Sequence, residues 1–300
     1  MRLLNCLKFI VVVLLATCFW GCSSQKSEQK NMESLNDSIV AENIILENDD
    51  LEVLLPSPSE VLEVVITSGM RYSETNAAPV GLESKVVLIR HKALIMGVYL
   101  ADFSYYNIYN QRKLVTDYFS SIQTLARDLG ISSILNDAYF KRFDNNLNNL
   151  DSIDKIFDEF ALYAYGTLVE SGNNEMLSMI AIGSAIELLY LGLTCNDDVS
   201  NDEITAKILE QKDLFENYYQ NFIKYNQSKD EFAPLMSDLT ALYNLYRSKL
   251  VEENHSVVVS DGSSHFTIKN VSKAKLSNVD VEVIKKAVLN IRNKMIGLEY

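Results

Sequence analysis

The sequence predicts an all-α protein, built as a multi-helix bundle or helical array. Three features of the sequence predict this fold class. The chain has only 11 glycines and four prolines in 300 residues, so the residues that most often end helices are scarce. Hydrophobic residues make up 48% of the chain, which is enough for a large core. These residues recur at spacings of three and four over long stretches, the period of a helix with a buried face.

The predicted elements follow one another with short connections. A first, short helix starts after the Pro-Ser-Pro-Ser sequence and ends at Gly69, because glycine readily adopts the conformation that closes a helix. Gly130 ends a later helix in the same way, and Asp151 is a plausible N-terminal cap. Residues 256–269 alternate around an Asp-Gly pair, which is typical of a small β-hairpin. The longer predicted helices cover residues 83–110, 112–129, 132–147, 152–169, 175–194, 204–225, 231–251 and 279–296.

Two of these helices, residues 83–110 and 175–194, are apolar around most of their circumference, so we expect them at the centre of the bundle. Gly97 and Gly183 would let them approach closely, because glycine has no side chain. Residues 176–195 are also long enough to cross a membrane. However, Glu187 would then lie near the middle of the bilayer and no basic residue anchors either end. A core helix is therefore the favoured interpretation.

The N-terminus has the parts of a bacterial export signal. Arg2 and Lys8 precede an apolar run over residues 9–20, which is shorter than the roughly 20 residues that a membrane-spanning helix needs. The sequence Phe19-Trp20-Gly21-Cys22 resembles the lipobox of bacterial lipoproteins, in the form common in Bacteroidetes. Cleavage before Cys22 would leave this cysteine at the new N-terminus, where it would carry the lipid.

Two alternatives to lipidation at Cys22 stay open. Three positions before Cys18 stands Leu15, which fits a lipobox better than Phe19 does. However, Thr17 directly before Cys18 is unusual in a lipobox. Ordinary cleavage without lipidation, or no cleavage, is the other alternative. A metal site at the two cysteines lacks further ligands near by, and cleavage would remove Cys18 and so prevent a disulfide between them.

The sequence divides the chain into three parts. Residues 1–21 are the predicted lipoprotein signal peptide, residues 22–55 a polar tether, and residues 56–300 a helical domain. Only Cys195 lies outside the signal region, so the exported domain cannot form an internal disulfide. Ser23 and Ser24 follow the lipidated cysteine without an acidic run, which favours the periplasmic face of the outer membrane over export to the cell surface.

The charge excludes some partners. The chain carries 27 basic and 40 acidic residues, a net charge of −13, and signal cleavage would remove two of the basic residues. Binding of nucleic acid depends on neutralising phosphates with Lys and Arg, so a nucleic-acid partner is not expected. Adsorption to anionic lipid is also disfavoured, so the lipid anchor must hold the protein at the membrane.

Asp102 and Glu187 are the two candidate catalytic or ligand-binding residues. Each is an acid within an almost wholly apolar helix, where an unpaired charge would be costly. They could form a buried carboxylate pair that acts as acid and base or binds a metal or cation. Alternatively, they accept hydrogen bonds and fix packing. The Glu-x-x-His motif of di-metal bundles is absent from the predicted helices, so the structural interpretation is favoured and no metal or cofactor is expected.

Tyrosines cluster at several places in the helices. Tyr105, Tyr106 and Tyr109 are the candidates for a groove that binds a sugar or a peptide, because tyrosine combines a large apolar ring with a polar tip. Core packing is the alternative role for these rings.

Several phrases in the sequence resemble a family of Bacteroidetes lipoproteins of uncharacterised function. They are PSPSEVLEVVITSGMRYS, HKALIMGVYLADFSYYNIYNQ, IQTLARDLGI, NNLDSIDKIFDEF and IGSAIELLYLGL. The likeness covers residues 56–211 and implies an exported, lipid-anchored helical protein. It implies no catalytic residue.

The sequence lacks the Gly-x-Ser-x-Gly, Walker A, His-Glu-x-x-His and Gly-x-Gly-x-x-Gly motifs. The favoured function is therefore a lipid-anchored, non-catalytic module of the cell envelope that binds an unknown protein or small molecule. The alternative is an enzyme, or a metal or ligand site, built on Asp102 and Glu187.

Overall fold

A computed structural model describes most of the helical part of the chain. The described residues are 66, 70–73, 76–131, 137–146, 149–194, 212–228, 230–249, 252–260, 266–274 and 276–297. All of them belong to the compact unit Pro56–Tyr300. The predicted signal peptide, the tether, Cys22 and nearly all of the predicted first helix lie outside the described residues.

The described residues form an all-α fold with one hairpin, which confirms the predicted fold class. Two short 3₁₀ turns, Leu82–Ser84 and Asp230–Phe232, precede helices. The helices within the described ranges are α1 (Ile89–Ile108), α2 (Arg112–Asp128), α3 (Asp137–Asn146), α4 (Leu150–Glu170), α5 (Asn174–Thr194), α6 (Lys212–Asn226), α7 (Ala233–Lys249) and α8 (Asn278–Gly297).

The hairpin is longer than the predicted residues 256–269. Strand β1 (Glu252–Ser260) pairs with strand β2 (Phe266–Ala274) in the antiparallel direction, with Ser260 opposite Phe266 and Glu252 opposite Ala274. The predicted Asp-Gly turn lies outside the described residues.

Helices α1 and α5 form the centre of the fold and run in the same direction. Arg90, in the first turn of α1, donates through Nε to Glu175 Oε1, in the first turn of α5, at 2.7 Å. Every residue from Ala93 to Asn107 in α1 is buried. Both helices are covered on all sides, as their nearly continuous apolar sequences predict.

Two glycines bring these helices into contact. A Cβ atom on Gly97 would lie 2.0 Å from the carbonyl oxygen of Ile180, and one on Gly183 would lie 2.4 Å from the carbonyl oxygen of Leu94. Real Cβ atoms do not approach backbone atoms so closely. The close approach predicted from Gly97 and Gly183 is therefore confirmed.

The remaining helices surround this pair. Helix α2 packs against α1, while α4, α6 and α8 pack against α5, and α7 packs against α8. By length and composition alone α5 could cross a membrane, but 94% of its most apolar 18-residue window is buried by other parts of the protein. Within the described residues, α5 thus occupies the core position that the sequence favours.

Helix ends were predicted less well than helices. Gly130 ends α2 as expected: its φ is +74°, and the Ile131 N–H donates to Ala126 at 2.9 Å. The predicted cap at Asp151 is wrong, because Asn149 caps α4 by accepting from the Ser152 N–H at 3.3 Å. The helix therefore starts at Leu150, two residues earlier than predicted.

Candidate functional site

Asp102 and Glu187 come together at the centre of the fold. Asp102 lies late in α1 and Glu187 late in α5, one to two turns beyond the glycine contact, and both side chains are fully buried. Because the two helices are parallel and touch at their glycines, the carboxyl groups face each other within hydrogen-bonding reach. The sequence identified both residues, and the structure places them in one cluster.

Arg292 of α8 completes this cluster. Its Nε donates to Glu187 Oε2 and its Nη2 donates to Glu187 Oε1, each at 2.9 Å, so the ion pair is bidentate. The guanidinium carbon also lies 4.2 Å from the centre of the Tyr190 ring, close enough for a cation–π interaction. Arg292 is only 6% exposed, so the positive charge balances the negative charge of Glu187 inside the protein.

Burial raises the pKa of both carboxyl groups. For Asp102 the negative charge of Glu187 adds to the effect of burial and the pKa lies well above its ordinary value, although the Ala78 N–H opposes the shift. For Glu187 burial raises the pKa, and the hydrogen bonds and charge of Arg292 oppose the shift. Asp102 Oδ1 has no N–H donor among the described residues, so of the two acids Asp102 is the one whose protonated form is favoured.

The cluster also binds an irregular segment that precedes α1. We call this segment the strap: residues 70–73 and 76–79. The Ala78 N–H donates to Asp102 Oδ2 at 3.0 Å, and Arg292 Nη2 donates to the Asn76 carbonyl at 3.0 Å. The buried acid and the buried arginine thus both contact the main chain of the strap.

Tyrosines of α1 and α2 hold the rest of the strap. The Tyr109 hydroxyl donates to the Met70 carbonyl at 2.7 Å, and the Tyr99 hydroxyl donates to the Pro79 carbonyl at 2.8 Å. Tyr118 donates to the Ala78 carbonyl. Burial raises the pKa of Tyr99 and of Tyr118, so both remain protonated donors at neutral pH.

The candidate groove tyrosines do not line an open surface. Tyr105 is 0% exposed and Tyr106 is 3% exposed. The ring of Tyr72, in the strap, lies 6.0 Å from the Tyr105 ring, 6.3 Å from Tyr106 and 5.4 Å from Tyr109, measured between ring centres. The surface that the sequence proposed for a ligand is filled by the chain's own strap.

The cluster lies away from solvent. Asp102 and Glu187 are 0% exposed, and the protein's own groups supply the hydrogen bonds of Glu187 and of Asp102 Oδ2. Arg292 supplies the positive charge that a metal ion would bring to Glu187. Among the residues that the structure describes, no group of three or more His, Cys, Asp or Glu side chains could hold a metal ion.

Sequence reasoning missed Arg292 and the strap. Arg292 follows Ile291 and lies one turn after Val288, both on the buried face of α8. A basic residue at the border of a buried helix face was the signal that could have identified Arg292, because a buried arginine needs an acid as its partner. The strap has no comparable signal, since its bonds to Asp102, Arg292, Tyr99, Tyr109 and Tyr118 are made by main-chain atoms.

Replacing Asp102 by Asn should preserve the cluster. The amide oxygen of Asn can accept from the Ala78 N–H, and its NH₂ can donate to Glu187, as the protonated acid does. Because burial favours the uncharged form of Asp102, loss of its charge should not destabilise the fold. We expect Asp102→Asn to melt at or above the wild-type temperature at pH 7, and Asp102→Ala to melt lower, in thermal unfolding followed by circular dichroism.

The pH dependence gives a sharper form of this test. A carboxyl whose folded pKa is raised contributes most below its unfolded value, 3.8, and loses that contribution as pH rises towards the folded pKa. The advantage of Asp102→Asn over wild type should therefore grow as the pH rises above 3.8. Asp117→Asn, in an exposed pair with Lys113 on α2, is the matched control. An equal response in both variants would contradict a raised pKa of Asp102.

Comparison with known proteins adds nothing to the geometry of this cluster. No protein-family model matches the chain. No curated protein and no solved structure matches it either.

Proposed function

We propose that this protein is a lipid-anchored protein of the cell envelope, whose helical domain is a non-catalytic binding or interaction module. The observation that carries the non-catalytic part is the closed cluster of Asp102, Glu187 and Arg292. Each of these side chains is buried and bonds to another member of the cluster or to the strap. A catalytic acid–base pair instead requires a cleft that admits a substrate.

The anchoring part of the proposal is supported by the sequence. A short apolar signal ends in a lipobox-like motif at Cys22, and a polar tether follows. The likeness of residues 56–211 to Bacteroidetes lipoproteins supports an exported, lipid-anchored protein, and Ser23 and Ser24, which have no acidic run beside them, favour the periplasmic face of the outer membrane. The acidic composition supports a protein or small-molecule partner rather than nucleic acid.

Fatty-acid labelling of cells tests the anchor. The wild-type protein should incorporate an alkyne fatty acid, and Cys22→Ala should lose the label, because only the thiol of the residue at the new N-terminus is acylated. Cys18→Ala is the matched control and should label normally. Labelling that survives in Cys22→Ala but disappears in Cys18→Ala would move the anchor to Cys18, and labelling in neither the wild type nor the variants would contradict anchoring.

A second candidate function is an enzyme, or a metal or ligand site, built on Asp102 and Glu187. One observation favours it: the two carboxyl groups converge and burial raises the pKa of both, as happens in acid–base pairs. The melting behaviour of Glu187→Gln separates the two functions. A site that holds its acids under strain gains stability when a charge is removed, whereas a structural ion pair loses it.

A further inference from the structure

Three consecutive aliphatic side chains are exposed at the start of α1. Val87 is 86% exposed, Leu88 52% and Ile89 49%, and we call these three residues the tip. Aliphatic surface left in water forgoes the free energy that burial would gain. Single exposed aliphatic residues are common on protein surfaces, whereas a contiguous exposed group more often marks a surface that contacts another molecule.

Helix formation does not explain the apolar residues of the tip. Leu88 is the N-terminal cap of α1, and its side chain accepts no hydrogen bond from the first helical N–H groups. Ser, Thr, Asp and Asn are preferred at this position because their side chains accept such bonds, and leucine is among the poor caps. The tip therefore gives up local helix stability where it exposes apolar surface, as residues that serve a function often do.

The charges beside the tip are balanced, although the whole chain carries a net charge of −13. The nearby acids are held in ion pairs: Arg90 with Glu175 and Glu231, and Lys92 with Asp128. Lys85, two residues before the tip, is exposed and has no acidic partner among the described residues. A tip of this kind is not repelled by lipid phosphates, as the acidic remainder of the chain would be.

A second exposed pair of aliphatic side chains has different neighbours. Val279 and Val283 lie one turn apart on α8, and both are exposed. Asp280 and Glu282 lie between them in the sequence, so this pair is flanked by acids. The tip differs from it in having a basic residue on either side.

The size of the tip favours a membrane surface over a protein as its partner. A stable protein–protein interface uses about 20–30 residues on each side, far more than the tip offers. A membrane contact requires less when the protein is already anchored, because the anchor raises the local concentration of lipid around the domain. A few aliphatic side chains are then enough to hold one end of the domain at the surface.

The chain is long enough to allow this contact. The strap begins beside Tyr109, directly after the end of α1, so α1 separates it from the tip by about 30 Å. Between Cys22 and the strap lies a chain of roughly 45 residues, which can span at most about 150 Å. An anchor at Cys22 therefore permits the tip to reach the same membrane.

We propose that the tip of α1 is a membrane-contact site, which inserts its aliphatic side chains into the phospholipid surface to which Cys22 anchors the protein. This inference deepens the proposed function by naming a second contact of the domain with the membrane, and it rests on the anchor. The contact turns the N-terminal end of α1 towards the bilayer. The opposite end of α1, beside the strap, then faces away from the membrane.

The test places the fluorophore NBD, whose emission depends on polarity, on the tip of the full-length acylated protein in phosphatidylcholine vesicles. Val87→Cys carries the fluorophore in a Cys195→Ser background, since Cys195 is the free thiol that remains after signal cleavage and acylation. We expect the emission from position 87 to shift to shorter wavelength and to be quenched by doxyl-labelled phosphatidylcholine, because the tip inserts into the lipid.

Lys113→Cys is the matched control for the position of the fluorophore. The Lys113 side chain is also 86% exposed, and it lies in the first turn of α2, which begins directly after α1 ends. It is therefore at the other end of α1 from the tip. Its fluorophore should emit as in water and should not be quenched by the doxyl lipid.

A second variant tests whether the apolar side chains cause the insertion. Leu88→Asp, added to the labelled Val87→Cys protein, places a charge in the tip and supplies a preferred helix cap, so the fold is retained. It should abolish both the shift and the quenching. Emission from position 87 that matches position 113 overturns the inference. A shift without quenching by the doxyl lipid also overturns it, because a protein surface, such as a second copy of the chain, would then cover the tip.

Flotation of the vesicles separates this inference from the anchor. Protein that does not float with the vesicles contradicts the anchor, and the inference fails with it. Protein that floats but shows no shift at position 87 contradicts the contact of the tip alone.

Discussion

Replacing Glu187 by Gln should destabilise the fold by about 3–5 kcal/mol, because it leaves the guanidinium of Arg292 buried without a counter-charge. Arg292 is 6% exposed and cannot turn to solvent without breaking its bond to the Asn76 carbonyl. In a domain of this size, such a loss lowers the melting temperature by about 10 °C or more. Thermal unfolding followed by circular dichroism measures it.

Glu175→Gln is the matched control for this experiment. Glu175 lies on the same helix and also pairs with an arginine, Arg90, but both side chains of that pair are 37% exposed. An exposed ion pair contributes about 0–1 kcal/mol, so this variant should melt near the wild-type temperature. A Glu187→Gln protein as stable as Glu175→Gln would show that the buried pair does not hold the fold, and a more stable one would favour the functional site.

Replacing Gly97 by Ala should cost about 3 kcal/mol or more, at the upper end of the range for overpacked cores. The added methyl group would lie 2.0 Å from the Ile180 carbonyl oxygen and 2.7 Å from the Ser184 nitrogen. Both are backbone atoms of α5, so the clash cannot be relieved by turning a side chain. The two central helices must separate, and the carboxyl groups of Asp102 and Glu187 would separate with them. Denaturant unfolding of the purified variant measures the loss.

Gly166→Ala tests whether this effect comes from packing. Gly166 lies in helix α4, and nothing that a new Cβ atom would meet lies within 4 Å of it. Alanine is the better helix former by about 1 kcal/mol, so this variant should be as stable as the wild type or more stable. If Gly97→Ala and Gly166→Ala changed the free energy of unfolding equally, the backbones of α1 and α5 would not be in close contact at Gly97.

Much of the candidate site could be predicted from the sequence because its signals are local. An acid within a wholly apolar helix is visible in a single segment, and both Asp102 and Glu187 were found in this way. Gly97 and Gly183 were found for the same reason, since a glycine in a central helix predicts close packing. The partner of the acids was not found, because Arg292 is 105 residues from Glu187 along the chain.

The tyrosines show what local sequence signals cannot predict. Tyr105, Tyr106 and Tyr109 are correctly grouped by helical periodicity on one part of α1. Periodicity cannot say what covers that part, and the cover is the strap, more than 30 residues earlier in the chain. An open groove and a filled one have the same sequence pattern in α1.

The sequence by itself determined the all-α class, the positions of the helices and the choice of α1 and α5 as the central pair, because backbone hydrogen bonding and hydrophobic periodicity act within a segment. Only the tertiary structure decided that the two acids meet, that Arg292 pairs with Glu187 and that the strap lies across them. These features depend on which distant segments meet. Side-chain bonds to main-chain atoms, such as those that hold Asn76 and Ala78, leave no mark on the sequence of the segment that is held.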